Sequence, residues 1–483
     1  MRPAVPITAV ARVAAVLLLA ILVATCATNP VTGKRELSLV SESQEITMGR
    51  EYAGQVAKEM GVYPDSAVQT YVSNLGRELA LTTERPRLPW TFTVMDDPTV
   101  NAFALPGGYI FVTRGILTHM NSEAELATVV GHEIGHVTAR HSVQQMTRQQ
   151  IAQIGLVAGA IASDEIAQNL GMISAGLGVL FLKYGRDDET QADGLGFRYA
   201  LHDGYDVRKM VDMFLVLQRV TARAGQRIPE WQSSHPDPGN RIAATRARLA
   251  RVSEPFDGKK VNREPFLAVI DGMVYGENPR QGFFKGGSFL HPDLAFQLDF
   301  PQGWQTANQP SSVVGVSRKQ DAQVQLSLAG RAEPTAALRQ FLGQEGIQAG
   351  RSGQATINSN PAAYAPFTAQ TQDGGTLSGL VAFLSYGGRT YRLLGLTAAT
   401  FATYDRTFQA FVGSFRRLTD SAALGIKPNR IQIVRVRSAT TLAAFNQQYP
   451  SVIPIEELAL INGMADTSAA IVEGESVKRV VTK

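Results

Sequence analysis

The sequence predicts a multidomain α+β protein: a mainly helical N-terminal domain with a small sheet, an α+β sandwich domain, and a small C-terminal α+β module. Three observations lead there. A length of 483 residues corresponds to about three domains at roughly 150 residues each. Residues 40–81 carry apolar positions at helical spacing, whereas Leu294-Ala-Phe-Gln-Leu-Asp-Phe300 alternates apolar and polar like a half-buried strand. The hydrophobic fraction of 44% is ample for packed cores. A net charge of +4, with no long Lys/Arg run, gives no footing for nucleic-acid binding. The expected boundaries are a leader over 1–26, the mainly helical domain over 27–255, a connector over 256–287, an α+β domain over 288–420 and a small module over 427–483.

The leader comes first. Arg2 and Arg12 flank its start, and Val13–Ala24 is a continuous apolar run of signal-peptide length, too short to span a bilayer. It ends at Leu22-Val-Ala-Thr-Cys26, which resembles a lipoprotein signal, with Thr25 where Gly, Ala or Ser is usual. Cys26 is the only cysteine, so an intrachain disulfide is excluded and Cys26 is the expected lipidation site.

Val40–Gly61 and Ser66–Leu81 read as amphipathic helices, and Trp90–Met95 and Gly108–Thr113 as strands, the second preceded by a Pro106-Gly-Gly108 turn. Ser122-Glu-Ala-Glu125 reads as a capping box opening a helix. That helix carries His132-Glu133-Ile134-Gly135-His136, an H-E-x-x-H motif. Residues i and i+4 stand one turn apart on one face, so both imidazoles can reach one Zn²⁺. Glu133, rotated about 100° from His132, is placed to hold a water without joining the ligands.

The third ligand decides the subclass. A continuation of the motif would need Gly at 139 and His at 142, where the chain has Ala139 and Ser142. His141, roughly 180° from His132 on a continued helix, is expected to face elsewhere as a surface or helix-end residue. Glu189-Thr-Gln-Ala-Asp193, in a helical stretch over Arg186–Ala200, supplies the alternative. Glu189 completes a His₂Glu site with water in the fourth position, one Zn²⁺ per chain, and Asp193, one turn on, accepts from a ligand histidine. His235 stands in a Pro-rich loop, Ser-Ser-His-Pro-Asp-Pro. Three roles stay open for it: oxyanion donor, occupant of the open zinc position that holds the enzyme inactive, or cap of the next helix.

With Asn101-Ala-Phe-Ala-Leu-Pro-Gly-Gly-Tyr109, the His132–His136 motif, Glu189-x-x-Ala192-Asp193 and Ser234-His235-Pro236, the chain resembles the gluzincin peptidases that include the CAAX prenyl endopeptidases and HtpX, and most of all their periplasmic, BepA-like branch. The resemblance covers about residues 30–250. It implies a zincin fold and a zinc metalloendopeptidase that hydrolyses unfolded or misassembled envelope proteins, with Glu133 as base. It also implies that Gly108–Thr113 is an edge strand, on which Gly108, Tyr109, Ile110 and Phe111 hold an extended polypeptide substrate. Ala27 after the cysteine implies a periplasmic protein anchored by lipid to the outer membrane. No 34-residue helical repeat of the kind BepA carries follows. A chaperone-like outer-membrane assembly factor and a cell-wall hydrolase are the alternatives, with outer-membrane assembly proteins or peptidoglycan as partners.

Ile151–Tyr184 is apolar and rich in Gly and Ala but interrupted by Asp164, Glu165 and Asn169. It reads as a lid, an amphipathic contact segment or two buried helices. Strands at Val313–Ser317, Val324–Leu328, Leu377–Ser385 and Thr390–Leu396, with helices near 336–342 and 404–415, resemble PsbP-like domains. Ile431–Val436, Leu442–Gln448, Ile455–Asn462 and Val477–Val481 form a strand-helix-helix-strand unit that resembles a LysM-type glycan-binding module or serves as a docking domain.

Overall fold

The protein is described from a computed structural model that covers residues 26–162, 184–224, 235, 238–370 and 375–483. The leader before Cys26 and nearly all of the apolar stretch after residue 162 lie outside the described residues. The chain forms two compact units. The first takes in the chain up to residue 57, residues 62–275 and residues 430–481; the second is essentially 276–429.

The first unit begins with a two-stranded ribbon, β1 (Cys26–Thr28) and β2 (Arg35–Leu37). Helices α1 (Glu42–Met60) and α2 (Ser66–Leu81) follow, α2 capped by Asp65, whose carboxylate accepts from the Ala67 and Val68 amides. A three-stranded sheet comes next: β3 (Thr91–Met95), β4 (Ala102–Leu105) and β5 (Tyr109–Thr113) in the order β3-β5-β4. The strand expected at the edge is therefore the central one. β5 pairs parallel with β3 and antiparallel with β4, so its amides and carbonyls are engaged on both sides. The edges are β3 and β4; β4 is a short run that the sequence does not set apart from the Pro106–Gly108 turn, and its four residues are themselves buried.

After α3 (Arg114–His119) comes α4 (Glu123–Thr138), the helix that carries the H-E-x-x-H motif. The capping box forms: Ser122 Oγ accepts from the Glu125 amide, and Glu125 Oε2 accepts from the Asn121 amide at 2.7 Å. Leu126, Ala127, Val130 and Ile134 are fully buried against Val68, Val72 and Leu75 of α2 and Ile110 and Val112 of β5. Helices α5 (His141–Ala162), α6 (Arg186–His202), α7 (Lys209–Ala224), α8 (Pro238–Leu249) and α9 (Arg263–Ile270) complete this part.

The far end of α4 is fixed by a buried ion cluster. Glu45 of α1, 1% exposed, pairs with Arg85 and Arg140, and Arg85 also donates to the Val137 carbonyl in the last turn of α4.

Contact between α4 and α6 is backbone to backbone. A Cβ on Gly196 would lie 2.6 Å from the His132 amide nitrogen, one on Gly131 3.1 Å from the Gly196 carbonyl, and one on Gly135 3.1 Å from the Ala192 carbonyl. Only glycine allows this approach, which brings α6 within side-chain reach of both motif histidines.

In the second unit β6 (Phe283–Lys285), β7 (Ser288–His291) and β8 (Phe296–Asp299) begin a four-stranded sheet that β17 (Arg416–Arg417) completes. The alternation seen in sequence is real: Phe296 and Leu298 are buried, Gln297 and Asp299 half-buried. An eight-stranded antiparallel sheet comprises β9 (Gln305–Gln309), β10 (Ser312–Val316), β11 (Ala322–Leu328), β12 (Ile347–Ala349), β13 (Gly353–Ile357), β14 (Asn360–Gln370), β15 (Thr376–Tyr386) and β16 (Arg389–Thr397). Helix α10 (Pro334–Leu342) packs Leu338 and Phe341 against Phe367 and Phe383, and α11 (Phe401–Gly413) packs Phe408 and Phe411 with Leu393 and Val324. A short α12 (Ser421–Leu424) follows.

The chain then returns to the first unit with β18 (Asn429–Arg435), β19 (Thr440–Thr441), α13 (Leu442–Gln448), α14 (Ile455–Ile461), β20 (Ala470–Ile471) and β21 (Ser476–Thr482). β18 pairs with β21 and β19 with β20. Leu442, Phe445, Leu458 and Val480 form a core of their own, while Leu460 joins the core that holds α4.

Gly196→Ala therefore forces α6 away from α4. The expected result is weaker zinc binding and a Tm lower by about 5 °C, since overpacking costs ~1–3 kcal/mol and each kcal/mol moves Tm by roughly 2–4 °C. Thermal unfolding and zinc titration check it; a variant matching the wild type in both would show that the helices need no glycine here.

Candidate metal centre

One turn apart on α4, His132 and His136 bring their Nε2 atoms to 3.0 Å. Glu189, in the first turn of α6, places Oε1 3.4 Å from His136 Nε2 and Oε2 3.6 Å from His132 Nε2. From the loop before α8, His235 Nδ1 lies 2.8 Å from Glu189 Oε1 and 3.3 Å from His132 Nε2. One donor atom from each of the four residues falls within 4.8 Å of all the others, and all four are buried. Tetrahedral zinc with bonds of about 2.0–2.1 Å requires donors about 3.3 Å apart, and these spacings match. Glu189 Oε2 is buried with no hydrogen-bond partner, as expected of an atom gathered for a cation. The donor set fits Zn²⁺.

Glu133 sits beside this set, outside it. Its Oε1 lies 3.6 Å from His235 Nε2, and its Oε2 is buried without a hydrogen-bond partner. Burial pushes its carboxyl up to about 7, against the pull of the His235 ring. A carboxyl poised there exchanges a proton readily at neutral pH.

Asp193 lies one turn after Glu189, with Oδ1 2.9 Å from His132 Nδ1. This contact fixes the ring so that Nε2 faces the donor set. Arg241 on α8 holds Asp193 in turn. Its Nε donates to Oδ2 at 2.9 Å and its Nη2 to Oδ1 at 2.6 Å, a bidentate pair. Burial raises the Asp193 carboxyl, but the guanidinium and the His132 ring outweigh it and hold the group down at about 2. Arg241 also lies 3.3 Å from Glu189 Oε2 and packs its guanidinium over the Phe214 ring.

His141 does not face elsewhere. Its Nδ1 is 2.9 Å from His136 Nδ1, and its Nε2 is 2.9 Å from Gln191 Oε1. The projection of a continued helix fails because α4 stops at Thr138 and Arg140 takes a left-handed φ of 59°. His141 thus begins α5, turned back towards His136, at the end of a helix and yet buried. Tyr184 stacks on His136 at 3.8 Å between ring centroids and shares a hydrogen bond with Ser142 Oγ. Sequence reasoning singles out neither Tyr184 nor Arg241. The one available signal for Arg241 was an arginine six residues after His235, in a helix start where the proline-rich loop limits its direction.

Gly108, Tyr109, Ile110 and Phe111 are not brought to the centre. Gly108 belongs to the turn, with φ 98°, and the other three to the middle of the sheet. An apolar pocket opens beside the motif instead, with Ala102, Val129, Met213, Phe214 and Leu217 facing His132 and Glu133.

Such a centre, with two histidines and a glutamate from two helices and a free carboxyl beside them, defines a metallopeptidase domain. Residues 66–249 match Peptidase family M48. The putative beta-barrel assembly-enhancing protease of Vibrio cholerae is 32% identical over 227 residues, 45% of this chain and 46% of that protein. The beta-barrel assembly-enhancing protease of Escherichia coli K12 is 30% identical over 234 residues, 47% and 48% of the two chains. The mitochondrial metalloendopeptidase OMA1 of Arabidopsis thaliana is 28% identical over 205 residues, 42% and 40%. The chain spans about half the length of the curated relatives it matches. Among solved structures, the cyanobacterial PsbP of Synechocystis aligns with 27% of this chain and 91% of its own length at 14% identity and a TM-score of 0.23, too partial a superposition to assign a fold.

Arg241→Gln leaves Asp193 buried without its partner and frees the His132 ring. Zinc affinity is expected to fall about 10–100-fold, the usual cost of losing a residue that orients a ligand. Competition with a chromogenic chelator measures it, and wild-type affinity would mean that Asp193 orients His132 unaided.

Proposed function

We propose that the protein is a zinc endopeptidase of the cell envelope that cleaves unfolded or misassembled polypeptides. The observation that carries this is Glu133: a buried carboxyl beside a complete donor set, with one oxygen unpartnered. A pure binding protein has no use for it. Zinc, when bound by His132, His136 and Glu189, polarises the scissile carbonyl and acidifies the attacking water. Glu133 takes the proton from that water and passes it to the leaving amine. Asp193 and Arg241 keep His132 in register, and the pocket at Val129, Met213 and Leu217 receives an apolar substrate side chain.

His235 is the switch in this reading. Its Nδ1 stands among the donor atoms, at the position a substrate carbonyl or water needs, which favours gating over a purely transition-state role. Kinetics of two variants on one unfolded substrate test the scheme. Glu133→Gln is expected to retain zinc and fold and to lose about 10²–10⁴-fold in kcat; equal cleavage by both forms would remove Glu133 as the base. His235→Ala is expected to raise basal activity, whereas a loss of about 10²–10³-fold would make it an oxyanion donor instead.

The envelope location rests on the leader and on Cys26, where the described chain starts with β1. A fatty-acid analogue is expected to label the wild type and not Cys26→Ala; labelling of both would refute an anchor at this residue.

A further inference from the structure

Residues 430–481 fold into the peptidase unit, and one of their side chains reaches far into it. Lys478, on β21, is fully buried. Its Nζ donates to the carbonyls of Thr118 at 3.0 Å and Met120 at 2.7 Å. Its backbone is locked by Asn462, the C-cap of α14, whose Oδ1 accepts from the Lys478 amide and whose Nδ2 donates to the Lys478 carbonyl.

The carbonyls that Lys478 satisfies lie at the end of α3, where a helix leaves its last carbonyls unpaired and favours positive charge. Two residues later, at Ser122, α4 begins, and there Glu125 accepts from the Asn121 amide at the end that favours negative charge. Glu125 is 3% exposed, with Lys478 and Lys209 within electrostatic reach of it; burial outweighs them, raising the Glu125 carboxyl to about 6 and pulling the Lys478 amino group well below its usual range. Arg263 of α9 ties the same junction to the same strand: it donates to the Asn121 carbonyl at 3.1 Å and to the Ser476 carbonyl at 2.9 Å. Lys478 Nζ therefore meets the α3 half of the junction directly and acts on the α4 half through the field at Glu125. From Glu125 it is seven residues along one rigid helix to His132, about 10 Å.

We propose that Lys478 is a positioning residue of the peptidase: by capping α3 and balancing Glu125, it sets the start of the helix that presents His132, Glu133 and His136. This rests on the assignment of α4 as the catalytic helix. The C-terminal segment is thereby part of the peptidase itself, beyond any docking or glycan-binding role. Its strand contributes, from outside the segment 66–249 that matches the family, the larger of the two positive influences on the buried Glu125, Lys209 of α7 being the other. An unbalanced buried charge is strongly disfavoured, so removing the ammonium pulls the junction towards water and turns the helix start with it.

The test uses the full-length protein. In Lys478→Gln the side chain still carries a donor but no charge, and Glu125 loses the larger of its two positive influences. Expected are faster amide hydrogen exchange over residues 119–128 and a kcat about tenfold lower with KM within about twofold, since a misplacement of about 1 Å costs up to ~10²-fold. Glu125→Gln with Lys478→Gln restores a neutral pair, and its kcat is expected within about threefold of the wild type. A folded Lys478→Gln with wild-type exchange and kcat overturns the proposal, as does a double variant no better than the single. If the single variant does not fold, the double decides: folded and near wild-type kcat upholds the proposal, while unfolded or slow overturns it. The exchange measurement does not depend on cleavage, so a failure of the peptidase reading would show separately, as a wild type no faster than Glu133→Gln.

Discussion

The metal centre depends on how closely two helices approach. Glu189 is a short reach from His132 and His136 only because Gly131 and Gly135 on α4 face Ala192 and Gly196 on α6 with nothing but hydrogen between the backbones. Every further side-chain atom at that seam would move the carboxylate outward by a comparable distance, and metal geometry tolerates little of that. Asp193 gains from the same approach. It reaches His132 Nδ1 at 2.9 Å from the next turn of α6. The seam therefore sets a ligand and the group that orients a ligand at once.

Close approach concentrates charge. Within a few ångströms lie two carboxylates, a third at Glu133, three imidazoles and one guanidinium, all buried. Carboxylates gathered so densely repel one another unless cations stand between them. Arg241 supplies one positive charge, and the site is built for a second from the metal. The arrangement also separates the acids by role. Asp193 is held firmly ionised by its bidentate partner, while burial leaves Glu133 near neutrality. Two neighbouring carboxyls with divergent proton affinity are what a site needs when one must hold a ligand still and the other must carry a proton.

Much of this is legible in sequence, for reasons of period. His132, Glu133 and His136 share one helix, and Glu189 and Asp193 another, so spacing alone puts the two histidines on one face with Glu133 beside them, and the two acids on one face of the second helix. The strands of the second unit reveal themselves by alternation, as at Phe296 and Leu298. What is not legible requires knowledge of where an element stops or what lies beside it. His141 is misplaced when α4 is extended past Arg140, because nothing in Ala-Arg-His-Ser marks the left-handed residue. β5 is apolar throughout, and an apolar run does not say whether one neighbour or two will pair with it. Arg241 belongs to a polar helix whose arginines look alike in sequence; only the fold turns one inward. Lys478, one lysine among the charged residues of the tail, takes its meaning from carbonyls some 360 positions earlier.

The ion cluster at Glu45, Arg85 and Arg140 fixes the last turn of α4 with residues close to it or before it in sequence, while β21 meets the junction just before its first turn from more than 350 positions later. During synthesis, or threading through a membrane N-terminus first, these two holds arrive at very different times. The near end is available as soon as α4 exists. The other is not until the final strand has emerged, with the whole of the second unit in between. A chain still in transit thus carries its motif without the means to set it. On the function proposed above, this delay protects the chain while it is itself still unfolded.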